Sequence, residues 1–254
     1  MKKLPPFLRK AFVYVPLLVL FALIASWSVP DLLVDWTGGK TAEASLAQAA
    51  HPATPKATEL QVSNAPVPTR VLVQSPTETD TELQIICLFE SAPQNTLHGS
   101  LVEANDKLKG LLERIRKPTL FRGELGETIV LVPQAGSLGA RKLLIIGLGD
   151  SENFTLQRME FVGSIVYRES NRLGAAHPFF APTILDGGVT KFNTGEVAER
   201  FYAGFLRAAR TEQLLKNEGA SPVPSLQDLT FLAGPTHAAD TKQALELAIV
   251  NLPK

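Results

Sequence analysis

Apolar positions along this chain change their pattern twice. Ala11 to Pro30, AFVYVPLLVLFALIASWSVP, holds no charged residue and lies behind the basic segment MKKLPPFLRK. Twenty helical residues span roughly 30 Å, the thickness of a bilayer core. Pro16 would kink such a helix, so Leu17 to Ala25 is its strongest stretch, with the length of an export-signal core. Residues 1–36 therefore read as a signal peptide or a retained membrane anchor, and either places the rest of the chain outside the cytoplasm. From Thr37 to about Asp80 no period persists. Pro52, Pro55, Pro66, Pro68 and Pro76 interrupt an Ala- and Thr-rich run, which predicts an extended linker over 37–80. The short run Arg70 to Val73 could be linker or a strand of the domain beyond.

From Thr81 onward, strands and helices alternate. Glu82 to Phe89, Glu127 to Val132, Lys142 to Leu148, Pro182 to Leu185 and Leu229 to Ala233 have the composition of short buried strands. Leu101, Ala104, Leu108, Leu111 and Ile115 recur at helical spacing, predicting one helix over Ser100 to Arg116, stopped by Pro118. A second helix begins after Thr155 as cap, with Met159, Val162 and Val166 inside, and ends at Gly174. A third begins after Thr194, with Val197, Phe201, Phe205 and Ala208 inside. A last one opens at Thr236 and runs through Ala244, Leu247 and Ala248. Such alternation predicts an α/β fold, a sheet covered by helices on both faces, as one domain over 81–254.

Charge changes the picture little. Lys plus Arg and Asp plus Glu are 25 each. Residues 1–30 carry Lys2, Lys3, Arg9 and Lys10 and no acid, so the remainder is mildly acidic, with no footprint for nucleic acid. One cysteine, Cys87, excludes an intramolecular disulfide and any paired-cysteine metal motif; mid-strand, it reads as a small hydrophobe. His51, His98, His177 and His237 show no metal-binding spacing. Two glycine turns remain as candidate ligand loops. Gly147, Gly149 and Asp150 come after a strand and precede a helix, the setting in which backbone N–H groups cradle phosphate. Glu152 stands where a third glycine would complete a dinucleotide fingerprint, so a plain tight turn is the competing reading. Asp186, Gly187 and Gly188 form the second loop, with a turn again as the alternative.

Three stretches together resemble the N-terminal domain of the leucyl aminopeptidase family. They are Phe121 to Glu127 with Arg141 to Gly149 (RKLLIIGLG), then VAERFYAGFLRAARTEQLLK over Val197 to Lys216, then Leu229 to Asn251. Gly204 matches that family's helix-centre glycine and Lys216 its terminal lysine, while Arg210 and Glu212 depart from its aromatic positions. The resemblance implies a three-layer, macro-domain-like α/β/α mixed sheet. In the family a second domain carries two divalent metals and hydrolyses peptides. Its signature Asn-Thr-Asp-Ala-Glu-Gly-Arg is absent here, and Gly195 stands at the metal-binding Asp of the nearest match, Asn193 to Glu196. The expectation is a non-catalytic interaction or regulatory module of the cell envelope, with no cofactor or metal of its own, meeting a protein partner or a second copy. Two alternatives are a nucleotide or ADP-ribose-like ligand held by the two glycine loops, as in macro domains, and an accessory subunit of a split metalloaminopeptidase.

Overall fold

The computed structural model describes residues 57–92, 96–117 and 120–252. The predicted signal or anchor over 1–36, the first part of the predicted linker, 37–56, and the Pro118 stop lie outside these residues. Among the described residues no helix is long and apolar enough to cross a membrane.

Seven strands form one sheet: β1 (Glu59–Gln61), β2 (Thr69–Leu72), β3 (Gln84–Leu88), β4 (Thr128–Leu131), β5 (Leu143–Gly147), β6 (Phe179–Ala181) and β7 (Leu229–Leu232). Their spatial order is β1-β2-β7-β6-β3-β5-β4. The inner strands run parallel and the edge strands β1 and β4 antiparallel to their neighbours. Period-two alternation sends each strand's residues to opposite faces. Ile85, Cys87, Leu144, Ile146, Phe180 and Phe231 meet α3 (Leu156–Arg172), α4 (Thr194–Asn217) and α5 (Ala238–Val250). Ile86, Leu88, Leu143 and Ile145 meet α1 (Gly99–Lys107) and α2 (Leu111–Ile115) on the other face. Both faces are dry, which is why these strands read as unbroken apolar runs.

The α3–α4 contact is the closest in the helical layer. A Cβ added to Gly204 would overlap the Glu160 carbonyl, and one on Gly163 the Phe201 carbonyl, so the two glycines let the backbones touch. Phe201 of α4 stacks on Phe180 of β6 at 4.0 Å between centroids and meets Phe231 of β7 edge-on at 5.5 Å. The predicted inner face of α4 is buried throughout.

Several elements differ from expectation. The single helix over 100–116 is two, because Lys109 (φ 55°) and Gly110 (φ 75°) turn left-handed between them. There Gly110 donates its N–H to Asn105 O at 2.7 Å, closing α1. Instead of 182–185, the strand is β6 at Phe179–Ala181. Pro182 and the left-handed Thr183 (φ 49°) end it. Asn193 caps α4 in place of Thr194, its side chain accepting the Gly195 N–H at 2.7 Å. Leu247 faces solvent, and Leu245 fills the inward position of α5. Within the stretch read as linker, β1 and β2 already belong to the sheet. Pro66 and Pro68 lie in their connection, and Val71 and Leu72 are buried against the two helical layers.

Candidate cleft at the carboxyl ends of the strands

Where β2, β7 and β6 end, the loops leaving them diverge. In open α/β sheets this edge is where ligand crevices form. Val73 to Pro76 come after β2, Pro182 to Asp186 after β6, and Ala233 to Pro235 after β7; together they open a cleft of about 500 Å³. Its floor is apolar, from Ala181, Phe231 and Leu232, and Phe192 and Val197 add to one wall. Three helices begin at its rim: α1 through Ser100, α4 through Thr194 and α5 through His237. An apolar concavity of this size with a few convergent polar groups suits a small molecule.

Thr183 shapes the cleft. A buried β-branched residue in left-handed geometry costs on the order of 1–3 kcal/mol and persists only where surroundings enforce it. Here the enforcement comes from β3. The Thr183 hydroxyl donates to Cys87 O at 2.7 Å and accepts the Cys87 N–H at 2.9 Å, replacing the ladder where β6 leaves the sheet. The chain then folds back through Gly187 and Gly188, whose N–H groups donate to Thr183 O and Leu185 O at 3.0 Å each.

Two carboxylates stand on the α1 side, both engaged. Asp186 accepts the Ser100 hydroxyl and lies against Gly99, and its own carbonyl accepts the His98 N–H at 2.9 Å. Glu103 is paired with Lys107 at 2.7 Å and accepts the hydroxyls of Thr77 at 2.5 Å and Ser75 at 3.0 Å. Lys107 first, then Thr77, holds the Glu103 carboxyl below the usual carboxylate range, against the opposing effect of its burial.

The two glycine loops are thus separated in space. Asp186 lines the cleft; Gly187 packs beneath it, where a Cβ would strike the Phe89 ring. Gly147, Gly149 and Asp150 end β5, beyond β3, outside the cleft lining. A Cβ on Gly147 would overlap Gly123 and Glu124, and Gly149 donates to Gly123 O at 2.8 Å. Asp150 accepts the Glu152 N–H at 3.0 Å and the Asn153 amide at 2.5 Å. The Glu152 N–H is the main cause of its lowered pKa. Sequence reasoning missed Thr183, Thr194, Thr241 and the β2 loop, whose lining roles arise only when five chain segments meet. Cys87 is buried, and burial pushes its thiol pKa well up, away from the thiolate.

Comparison with known proteins places this architecture. The sequence profile of the cytosol aminopeptidase family, N-terminal domain, matches residues 85–211, half of the chain. The chain belongs to the cytosol aminopeptidase family. A protein of Chromohalobacter salexigens named probable cytosol aminopeptidase is 29% identical over 175 residues, covering 65% of this chain and 31% of its own length. One of the same name from Cyanothece sp. is 30% identical over 96 residues, 38% of this chain and 19% of that protein. The chain thus spans about a third or less of these relatives. Among solved structures, a tomato leucine aminopeptidase mutant superimposes with a TM-score of 0.51 at 16% identity, over 75% of this chain and 38% of that one. An Oceanobacillus iheyensis macrodomain mutant gives 0.52 at 14% identity, over 76% and 98%. The α/β mixed sheet is macrodomain-like.

The metal pair of the family's hydrolytic half does not fit the described residues. Among them no three His, Cys, Asp or Glu side chains gather as a metal would need. The two cleft carboxylates already hold Ser100, Lys107, Thr77 and Ser75.

Proposed function

We propose that residues 57–252 form a non-catalytic binding module of the cytosol aminopeptidase family, regulatory in role, which takes a small ligand in the cleft. The observation that carries this reading is the apolar cavity of about 500 Å³ at the carboxyl ends of β2, β7 and β6, ringed by three helix starts. Macrodomain-like architecture supports a ligand at this edge of the sheet. The order of basic and apolar residues in 1–36 supports a position in the cell envelope, outside the cytoplasm.

Gly234 supplies a clean test. It lines the cleft without positive φ, and a Cβ there would meet only His237, at 3.6 Å. A fragment screen on the full chain by ligand-observed NMR should give binders that Gly234→Phe abolishes while the fold is kept. Binders indifferent to that change would contradict the cleft as the site. With manganese or zinc and a leucine chromogenic substrate, the full chain alone should show no turnover. Hydrolysis that a chelator abolishes would contradict the non-catalytic role.

A second reading, an accessory subunit that meets a separate hydrolytic chain, is favoured by the far end of α4. Burial stops at Ala208, and Leu214 is 59% exposed. Co-purification of a cytosol aminopeptidase catalytic chain would support it, and loss of that chain on Leu214→Lys would place the contact.

A further inference from the structure

The two rims of the cleft differ in chemistry. On the α1 rim stand Asp186 and Glu103, each already engaged. On the opposite rim, across the sheet, α4 and α5 begin side by side: a Cβ on Gly195 would lie 3.6 Å from Ala244 and 3.7 Å from Asp240 O. The first-turn N–H groups of a helix have no partner within it and carry partial positive charge. Asn193 satisfies only the N–H of Gly195. Glu196 and Asp240, the first-turn acids, are exposed and outside the lining.

A second, independent feature lies there. Thr241, one turn into α5, is 2% exposed and lines the cleft. Its hydroxyl has no hydrogen-bond partner among the described residues; the backbone N–H bonds His237 O at 2.9 Å. The hydroxyl oxygen is not among the fully buried, unpartnered side-chain atoms, so it keeps contact with the solvent of the cleft, where a bound polar group can take it up. Thr194, a second hydroxyl-bearing residue, lines the cleft on the same rim at the start of α4. Between the rims the walls are apolar, from Pro182, Ile184, Phe192 and Phe231. No Lys or Arg lines the cleft among the described residues.

We propose that the cleft is built for a small carboxylic acid with an apolar body, its carboxylate held by Thr241 and Thr194 at the converging starts of α4 and α5. This rests on the reading of the cleft as the binding site. A single carboxylate is matched by two hydroxyls and two helix starts. A diphosphate brings two or more charges that no lining cation pairs, and it faces Asp186 and Glu103 across the cavity. The apolar walls take the hydrocarbon part, and the α1 carboxylates stay with their own partners.

The test uses the full chain and two soluble probes, 4-methylpentanoate and its amide, with ADP-ribose as third ligand. Saturation-transfer NMR should show the acid binding about tenfold or more tighter than the amide, as expected where a charge-assisted hydrogen bond decides. Thr241→Val keeps the side-chain shape and removes only the hydroxyl. It should weaken the acid at least about fivefold, leave the amide unchanged, and leave the melting temperature about where it is, since the hydroxyl has no protein partner to lose. Equal binding of acid and amide, unaltered acid binding in Thr241→Val, or stronger binding of ADP-ribose in competition with the acid would each overturn the proposal. If ADP-ribose binds and Gly234→Phe abolishes it, the cleft stands and only the ligand class fails. If no probe gives a signal sensitive to Gly234→Phe, both readings fail.

Discussion

Gly204 shows what a single missing methyl group does in this protein. Its hydrogen atom faces the Glu160 carbonyl of α3 where any Cβ would overlap. Gly204→Ala must push α3 and α4 apart, and overpacking of this kind costs about 1–3 kcal/mol, sometimes more. The melting temperature should fall by several degrees, whereas the control Gly219→Asn, at an open left-handed position with nothing near, should change it little. An unchanged melting temperature in Gly204→Ala would mean that the helices are not in contact there. This glycine was legible in the sequence through the family resemblance, and the buried face of α4 through its spacing. Thr183 was not. Nothing in Pro182-Thr183-Ile184 announces a left-handed threonine, because its cause is the backbone of Cys87, 96 positions earlier.

Among the elements, β1 is the least secured. It pairs with β2 alone, as an edge strand. Leu60 and Val62 pack on the helical layer's core, and the polar hold runs through Glu246 of α5, which binds Lys242 at 2.6 Å and the Ser63 N–H at 2.9 Å. Lys242 first, then Ser63, pulls the Glu246 carboxyl down to about 2 from an ordinary 4.5. A carboxyl whose folded pKa is depressed contributes stability above its unfolded pKa and loses it as pH falls through the folded one. The window is therefore pH 4.5 down to about 2. Because Glu246 is only half-buried, solvent screening keeps the effect small and local. Hydrogen exchange, corrected for intrinsic rate, should show less protection over 60–63 in Glu246→Gln than in wild type at neutral pH, with the difference closing below pH 4.5. Equal protection at neutral pH would remove Glu246 from this role. At this scale the sequence showed the long apolar runs, β3 and β5, and the helices α3 and α4. It misplaced β6 and joined α1 to α2, because both boundaries depend on backbone geometry at Thr183, Lys109 and Gly110. Strands β1 and β2 were obscured by the prolines in their connection and by three- and four-residue lengths too short for a period.

For the whole molecule, the parallel inner sheet decides where chemistry can happen. Every inner strand delivers its carboxyl end to one edge, and helices α1, α4 and α5 begin at that edge. Alternation along the chain made the layered α/β fold legible. The cleft was only half legible: Asp186 was singled out for a glycine turn, while Gly147, Gly149 and Asp150 drew attention for the same reason. The structure gives those three another employment, packing β5 against Gly123 and closing a turn on Glu152 and Asn153. A glycine-rich turn at a strand end looks the same in sequence whether a ligand or the protein's own backbone fills the space above it. The most direct measurement is therefore a titration of the isotope-labelled full chain with 4-methylpentanoate, monitored through amide chemical shifts. The largest changes are predicted at 74–75, 183–186 and 233–241, with 147–150 unmoved. Changes centred on Gly147 to Asp150, with the three cleft segments silent, would contradict the cleft as the binding site.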